Sequence, residues 1–246
     1  MCGQGLHYGQ AWTRDNPLTA WVFCKVDYIE SYLSQCVDGG LPIVLVTGCS
    51  DFPVDEAMAD RVFSRFNIRH WFTTNPTTTR PRVTPIPLGV GNEGMSVSGN
   101  PTYQLRHVME QRYQKTEIFN ARFSVATAPR QRGAALKSLG LNGEQHRVPF
   151  KRYLAEVAQS YFSIAPRGTG VDTHRAWEAL YLRTVPVVER SLLWDRHSDM
   201  PVVIVDDWAD FDPSILTPDL YAYLTAGFDW DSLYAYRYMD RMKALL

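Results

Sequence analysis

What this 246-residue chain lacks narrows it first. It has no run of 18 or more apolar residues, the length a membrane-spanning helix needs. No basic stretch followed by an apolar core opens it, so no secretory leader is expected and the expected location is the cytoplasm. An excess of charge of one sign is missing too: 25 Lys and Arg against 26 Asp and Glu leave a net charge of −1. Nothing global therefore draws the chain to a polyanion, and a nucleic-acid partner is not expected. Cysteine is scarce, with Cys2, Cys24, Cys36 and Cys49 all in the first fifth. None stands in a CxxC pair, and no histidine spacing completes a zinc pattern. Cys24, in a strand-like run, and Cys36, at the end of a helical one, read as small core residues; no disulfide framework is expected, which fits a reducing cytosol. Internal repeats and low-complexity tracts are also missing.

What is present is apolar and aromatic: 45% hydrophobic and 13% aromatic residues suffice for a sizeable core. AWVFCKV (20–26) and PIVLVTG (42–48) read as buried parallel strands, with DYIESYLSQCV between them as a helix. Asp55 to Phe66 reads as a second helix, RHWFTT as a third strand and VTPIPLGVG as a fourth with prolines at its margins. NEGMSVSGNP (92–101) is the best linker candidate, followed by the helical TYQLRHVMEQRYQK. RFSVATA (122–128) reads as the strand that starts a second half, and PRQRGAALKSLG as a helix capped by Gly140. FKRYLAEVAQ, YFSIA, VPVVE and VVIVDD continue the alternation, and an amphipathic tail from Asp229 closes it. Strand and helix alternate throughout, so the fold class is α/β with mostly parallel sheets. Two domains are expected, 1–115 and 116–246, with the last helix crossing back to the first.

The chemistry concentrates between Ser163 and Val188, SIAPRGTGVDTHRAWEALYLRTVPVV. A glycine-bearing loop running into a helix start is an anion site, because free N–H groups and the positive end of the helix dipole point at it. Arg167 adds a guanidinium fork, Gly168 and Gly170 permit positive φ and close backbone approach, and Thr169 lies between them. Asp172 is the expected N-cap, with Thr173 at the first helical position. Arg175 then falls in the first turn and Glu178 on the same flank, about 4.5 Å further along the axis. A carboxylate there can accept from ribose hydroxyls while a diphosphate rests on the loop. The plainer alternative is an i,i+3 surface pair.

PRGTGVDTHRAWEAL followed by RTVPVVE resembles the signature of exostosin-type glycosyltransferases, and VVIVDDWADF resembles the segment that follows it. The resemblance spans roughly residues 118 to 212. It implies a GT-B-like fold, two Rossmann-like domains facing a cleft with the nucleotide-sugar held by the second. It also implies that Arg167 and Arg175 neutralise the diphosphate, that Glu178 holds the ribose, and that transfer inverts the anomeric carbon. UDP-xylose, UDP-glucuronate and UDP-galactose are the donors it suggests, with a glycan or glycoprotein acceptor. Where the family usually has a small-residue turn before the Pro-Val-Val strand, this chain has Arg183-Thr184. Animal and plant members carry a Golgi anchor; the missing anchor resembles the compact forms of large DNA viruses, which implies a host-cytoplasm location.

An inverting transfer needs a general base opposite the leaving nucleotide. Asp51, just beyond a strand end, is the first candidate and Asp27 the second, with His7 a remote third. Capping duty is the alternative for both aspartates. Arg130 and Arg132 follow RFSVATA, where a second-domain loop would meet the pyrophosphate; against a helix dipole two arginines are unfavourable unless an anion joins them. Asn75, Asn92 and Glu93 are candidates for acceptor hydroxyls, and Trp12, Trp71 and Trp208 for sugar stacking or plain core. Asp206-Asp207 and Asp210-x-Asp212 mimic a metal-holding DxD pair, but the arginines already supply positive charge, so no metal cofactor is expected. Two rivals stay open: a metal-dependent phosphatase or hydrolase using Asp51, Asp55 and histidines around a metal, and a non-catalytic nucleotide-sugar or glycan-binding module.

Overall fold

A computed structural model describes residues 11–12, 20–36, 42–91, 100–143 and 146–244. Among these residues two sheets form. In the first, β1 (Ala11–Trp12) runs antiparallel to β2 (Ala20–Lys25) at one edge. From β2 the ladder continues in parallel through β3 (Ile43–Gly48), β4 (Ile68–Thr73) and β5 (Val83–Pro85), in the order β1-β2-β3-β4-β5. The second sheet is all parallel: β6 (Glu117–Asn120), β7 (Ser160–Ile164), β8 (Val185–Glu189) and β9 (Val203–Val205), in that order. The chain is thus mixed α/β with two parallel-sheet units, a Rossmann-like arrangement.

The first core forms where Val22, Ile43, Leu45, Ile68 and Trp71 meet Leu33 of α1 (Ile29–Cys36) and Val62 of α2 (Glu56–Arg65). Burying each such side chain contributes about 1.5–3 kcal/mol. Asp55 starts α2 by accepting from Met58 N at 2.8 Å, which satisfies one of the donors a helix start leaves over. β5 is short because Pro85 and Pro87 offer no ladder donor.

The second sheet is covered on both faces, and period-two alternation decides which side chain meets which layer. Phe162, Ile164, Val185 and Val187 pack with Leu136 of α4 (Pro129–Ser138) and Leu220 of α8 (Pro218–Thr225). On the other face Leu105 of α3 (Pro101–Glu110), Leu154 of α5 (Phe150–Ala158) and Ala179 of α6 (His174–Tyr181) share a cluster. Val188 joins Trp177 and Trp194, the latter from α7 (Leu192–Arg196), in a third cluster together with Leu88, Val90 and Tyr238 of α9 (Ala235–Ala244). Helix α4 ends as the sequence predicts, with Gly140 at φ 68.

The second half departs from expectation at its start. The strand is EIFN, 117–120, and RFSVATA is irregular with a 3-10 turn at Val125–Thr127. The Asn120 side chain accepts from Arg122 N at 3.2 Å, which turns the chain, and Ser124 caps the following turn. β6 is an edge strand with Glu117 and Ile118 exposed, so it lacks the buried apolar run that marks its neighbours. Phe123 reaches the core from a loop instead. Trp71 and Trp208 are buried, at 0% and 1% exposure, and so serve as core rather than sugar platforms. The Trp12 side chain, His7, Asn92, Glu93 and most of the 92–101 linker lie outside the described residues.

Candidate functional site

A cleft of about 1380 Å³ lies between the two halves. One wall comes from the carboxyl ends of β2 and β3 and from Thr74 beyond β4, contributing Lys25, Asp27, Ser50, Asp51 and Phe52. The other comes from the loop after β7 and from α6, contributing Gly168, Asp172, Arg175 and Glu178. In open α/β sheets a ligand crevice usually forms where the strand order reverses. Neither sheet reverses, and the cleft draws its lining from both halves of the chain.

The start of α6 is built differently from the sequence expectation. Thr173 is the N-cap and makes no side-chain capping bond, while His174 is the first helical residue. Asp172 sits one step earlier, 5% exposed, and its carboxylate gathers donors from three directions. Thr173 N donates at 2.7 Å, Leu88 N at 2.8 Å, and the Trp177 indole at 2.8 and 2.9 Å. Burial lifts the Asp172 carboxyl to about 6, against the pull of those donors and of His174. Asp172 is thus an internal anion held at the helix N-terminus, so a bound phosphate would sit outward of it.

The glycines serve space rather than backbone sign, since neither Gly168 nor Gly170 has positive φ. A Cβ on Gly168 would meet Arg132 Nη2 at 3.1 Å, and one on Gly170 would meet Asn75 Nδ2 at 2.9 Å. Arg132 is buried at 8% exposure, lines the cleft, and donates to the Arg167 carbonyl at 2.9 Å and the Ser124 carbonyl at 2.6 Å. It braces the Arg167 loop, a role beyond the pyrophosphate contact that the sequence expects of it. Arg130 is exposed on the first turn of α4, and neither it nor Arg167 is among the cleft-lining residues. The Arg167 Nη2 lies 3.5 Å from the Thr169 carbonyl. Thr169 itself is exposed at the cleft edge.

Arg175, Glu178 and Tyr153 form the densest group. Tyr153 donates its hydroxyl to Glu178 Oε2 at 3.0 Å, and the Arg175 guanidinium lies over the Tyr153 ring at 5.0 Å and the Phe123 ring at 5.9 Å. Arg175 Nη1 is buried without a hydrogen-bond partner. Desolvation pushes the Glu178 carboxyl above its ordinary value, with Arg175 and the Tyr153 hydroxyl pulling the other way. Arg175 and Glu178 are not among the ion pairs within 4.0 Å of the described residues, so the simple surface pair is not what forms.

The opposite wall is wet. Asp51 is exposed beyond β3 and makes no hydrogen bond or ion pair among the described residues; Asp55, not Asp51, caps the next helix. Asp27 pairs with Lys25 at 3.4 Å. Desolvation acts to raise its carboxyl, but the Ser50 hydroxyl, its own backbone and Lys25 together hold it below the usual range. Phe52 is 61% exposed at the rim, and the Thr74 hydroxyl is buried without a partner. Cys49 also lines the cleft and is disulfide-bonded, while Cys24 is free of a disulfide and buried. The expectation of reduced cysteines without a disulfide is therefore corrected at Cys49, which stands in a left-handed turn past the strand end at φ 55.

Two side chains, His174 and Tyr153, escape sequence reasoning. His174 lines the cleft with Nδ1 2.7 Å from the Gly89 carbonyl. A carbonyl only accepts, so Nδ1 carries the hydrogen and Nε2 is left as the second polar atom of the ring. Its signal was the His-Arg pair at a helix start. Tyr153 gave no local signal, because its partner lies 25 residues away, and Asn75, expected at acceptor hydroxyls, instead bonds to a residue 97 positions away. The acidic pairs that follow β9 lie elsewhere. Asp206 pairs with Arg190, and Asp207 and Asp212 cap 3-10 turns, so none of the DxD candidates lines the cleft. No group of three His, Cys, Asp or Glu suited to a metal occurs among the described residues. No protein-family model matches this chain, and no curated protein matches it.

Proposed function

We propose that this chain is a GT-B-like glycosyltransferase that moves a sugar from a nucleoside-diphosphate donor, UDP being the favoured nucleotide, to a glycan hydroxyl. The observation that carries the reading is the buried Arg175 nitrogen without a partner, set beside Glu178 in a cleft between two parallel sheets. An unpaired buried guanidinium nitrogen is costly and is satisfied when an anion accepts from it. Single-ligand pockets hold roughly 300–1,000 Å³. A cleft of about 1380 Å³ has room for a donor and an acceptor together.

In this reading Arg175, Arg132 and the first-turn amides of α6 face the diphosphate, where negative charge grows as the anomeric carbon–oxygen bond breaks. Glu178 takes the ribose. Asp51 removes the proton of the acceptor hydroxyl as its oxygen bonds to the anomeric carbon, and the bonding electrons leave with the nucleotide. Asp27 is the weaker base because its carboxyl is already stabilised as the anion. The arginines provide the counter-charge, so the reading requires no metal.

A thermal-shift panel of UDP, GDP, CMP and their sugar conjugates, with and without EDTA, tests this. A ligand at about 100 times its Kd stabilises the fold by roughly 2.7 kcal/mol. An EDTA-insensitive shift with one nucleotide class is the expected result, and no shift with any of them removes the diphosphate site.

A further inference from the structure

Asn75 is one of the side chains through which the two walls touch, beside Asp172 and His174. It is 3% exposed, and its backbone is pinned in the first half, where Val54 N donates to its carbonyl at 3.2 Å. Its amide nitrogen donates to the Ser50 carbonyl at 3.0 Å, and its amide oxygen accepts from Asp172 N at 2.9 Å. One short side chain therefore links the residue before Asp51 to the residue before the N-cap of α6. The backbone adopts φ 54 to reach this position, a left-handed conformation that asparagine tolerates better than most residues. Gly170 completes the fit: a Cβ there would stand 2.9 Å from Nδ2, 3.2 Å from Oδ1 and 3.3 Å from Cγ of Asn75. Since Gly170 does not use positive φ, the close approach is what the position needs. Two further bonds clamp the same spot, Leu88 N to Asp172 Oδ2 and His174 Nδ1 with the Gly89 carbonyl.

We propose that Asn75 is a positioning residue of the cleft: it fixes the 50–52 loop, with Asp51, against the start of α6, with Arg175, and Gly170 is glycine to admit it. The clamp itself stands on the geometry above, while its part in catalysis rests on the transferase reading. Asn75 does not touch a substrate. It sets the separation between the group that takes the acceptor proton and the groups that hold the leaving diphosphate. A misplacement of about 1 Å between reacting groups can cost roughly 10²-fold in rate.

Two measurements on Asn75→Gly, Asn75→Asp and Gly170→Ala decide it. Asn75→Gly keeps φ 54 at no strain and deletes both bonds; Asn75→Asp keeps the acceptor for Asp172 N and loses the donor to Ser50. In the first measurement, amide exchange by NMR, the Asp172 amide is expected to exchange at least tenfold faster in Asn75→Gly and Gly170→Ala, with β7 and β8 amides unchanged. Unchanged exchange at Asp172 overturns the clamp, and this readout needs no substrate. The second is steady-state transfer with the nucleotide-sugar that shifts the wild-type protein. The expected result is a fall in kcat of about 10- to 100-fold with donor KM within about twofold, and partial recovery in Asn75→Asp. An unchanged kcat in a variant whose Asp172 amide is exposed overturns the positioning role. If the wild-type protein itself turns nothing over, the transferase reading fails while the exchange result still judges the clamp.

Discussion

The two walls of the cleft are built on opposite plans. On the α6 side, Asp172 and Glu178 are buried to 5% and 7% exposure and hold fixed partners: Tyr153, Trp177 and backbone amides. On the β3 side, Asp51 and Phe52 are exposed, and Asp27 shares a modest ion pair with Lys25. The first wall has met its desolvation cost during folding, so charge arriving there finds dipoles already aimed. The second keeps Asp51 and Phe52 in contact with water. A constant ligand such as a nucleotide suits the first plan, and a variable one such as a glycan suits the second.

The sharpest contrast is catalytic against structural. Asp51→Asn is expected to lower kcat by about 10² to 10⁴ while nucleotide affinity stays unchanged and stability stays within about 0.5 kcal/mol. Calorimetric titration with the stabilising nucleotide, alongside initial rates, separates these; a weakened nucleotide would place Asp51 on the wrong wall.

Asp172 gives the next largest effect, on stability alone. Its carboxyl rises from 3.8 to about 6 on folding. Below 3.8 both states hold the proton; between the two values the unfolded chain has lost it and the folded one keeps it. Stability from this group is therefore full at low pH and falls by roughly 3 kcal/mol as pH rises through that window. Urea unfolding from pH 3.5 to 7 should show that slope in the wild type, flattened in Asp172→Asn.

Arg175→Ala removes the unsatisfied guanidinium, and a charge-assisted bond contributes about 1.5–3 kcal/mol, so nucleotide affinity should fall about 10- to 100-fold. A titration showing equal affinity in both proteins would move the phosphate elsewhere. The smallest effect belongs far from either wall. Arg183 holds φ 54 in the turn before β8, exposed to solvent. Arg183→Gly should raise stability by about 1 kcal/mol in a denaturant melt, and leave nucleotide binding alone.

Sequence made some of this visible and hid the rest for physical reasons. The parallel α/β halves were legible because buried strands such as PIVLVTG carry continuous apolar runs. Arg175, Glu178 and Asp51 were legible because helix phase and strand ends place them. β6 was misplaced because an edge strand need not be apolar, and RFSVATA supplied the pattern from a loop. Asp172 looked like an N-cap because capping and burial use the same residue type, and only the arrival of Leu88 and Trp177 tells them apart. Asn75 was legible only as a polar loop residue, since its clamp closes over 97 positions. The bond at Cys49 had no spacing signature, because pairing depends on proximity in space.

The order of the strands has a practical consequence. Since both sheets run β1-β2-β3-β4-β5 and β6-β7-β8-β9 without reversal, neither half owns a crevice. The site is a property of the seam. Fragments 1–91 and 100–246 supplied separately would each present one bare wall, and a ligand that needs both walls would bind only on reassembly. A reporter split at that seam would signal union of the fragments by ligand binding, with Asn75 and Gly170 setting how tightly the two pieces hold.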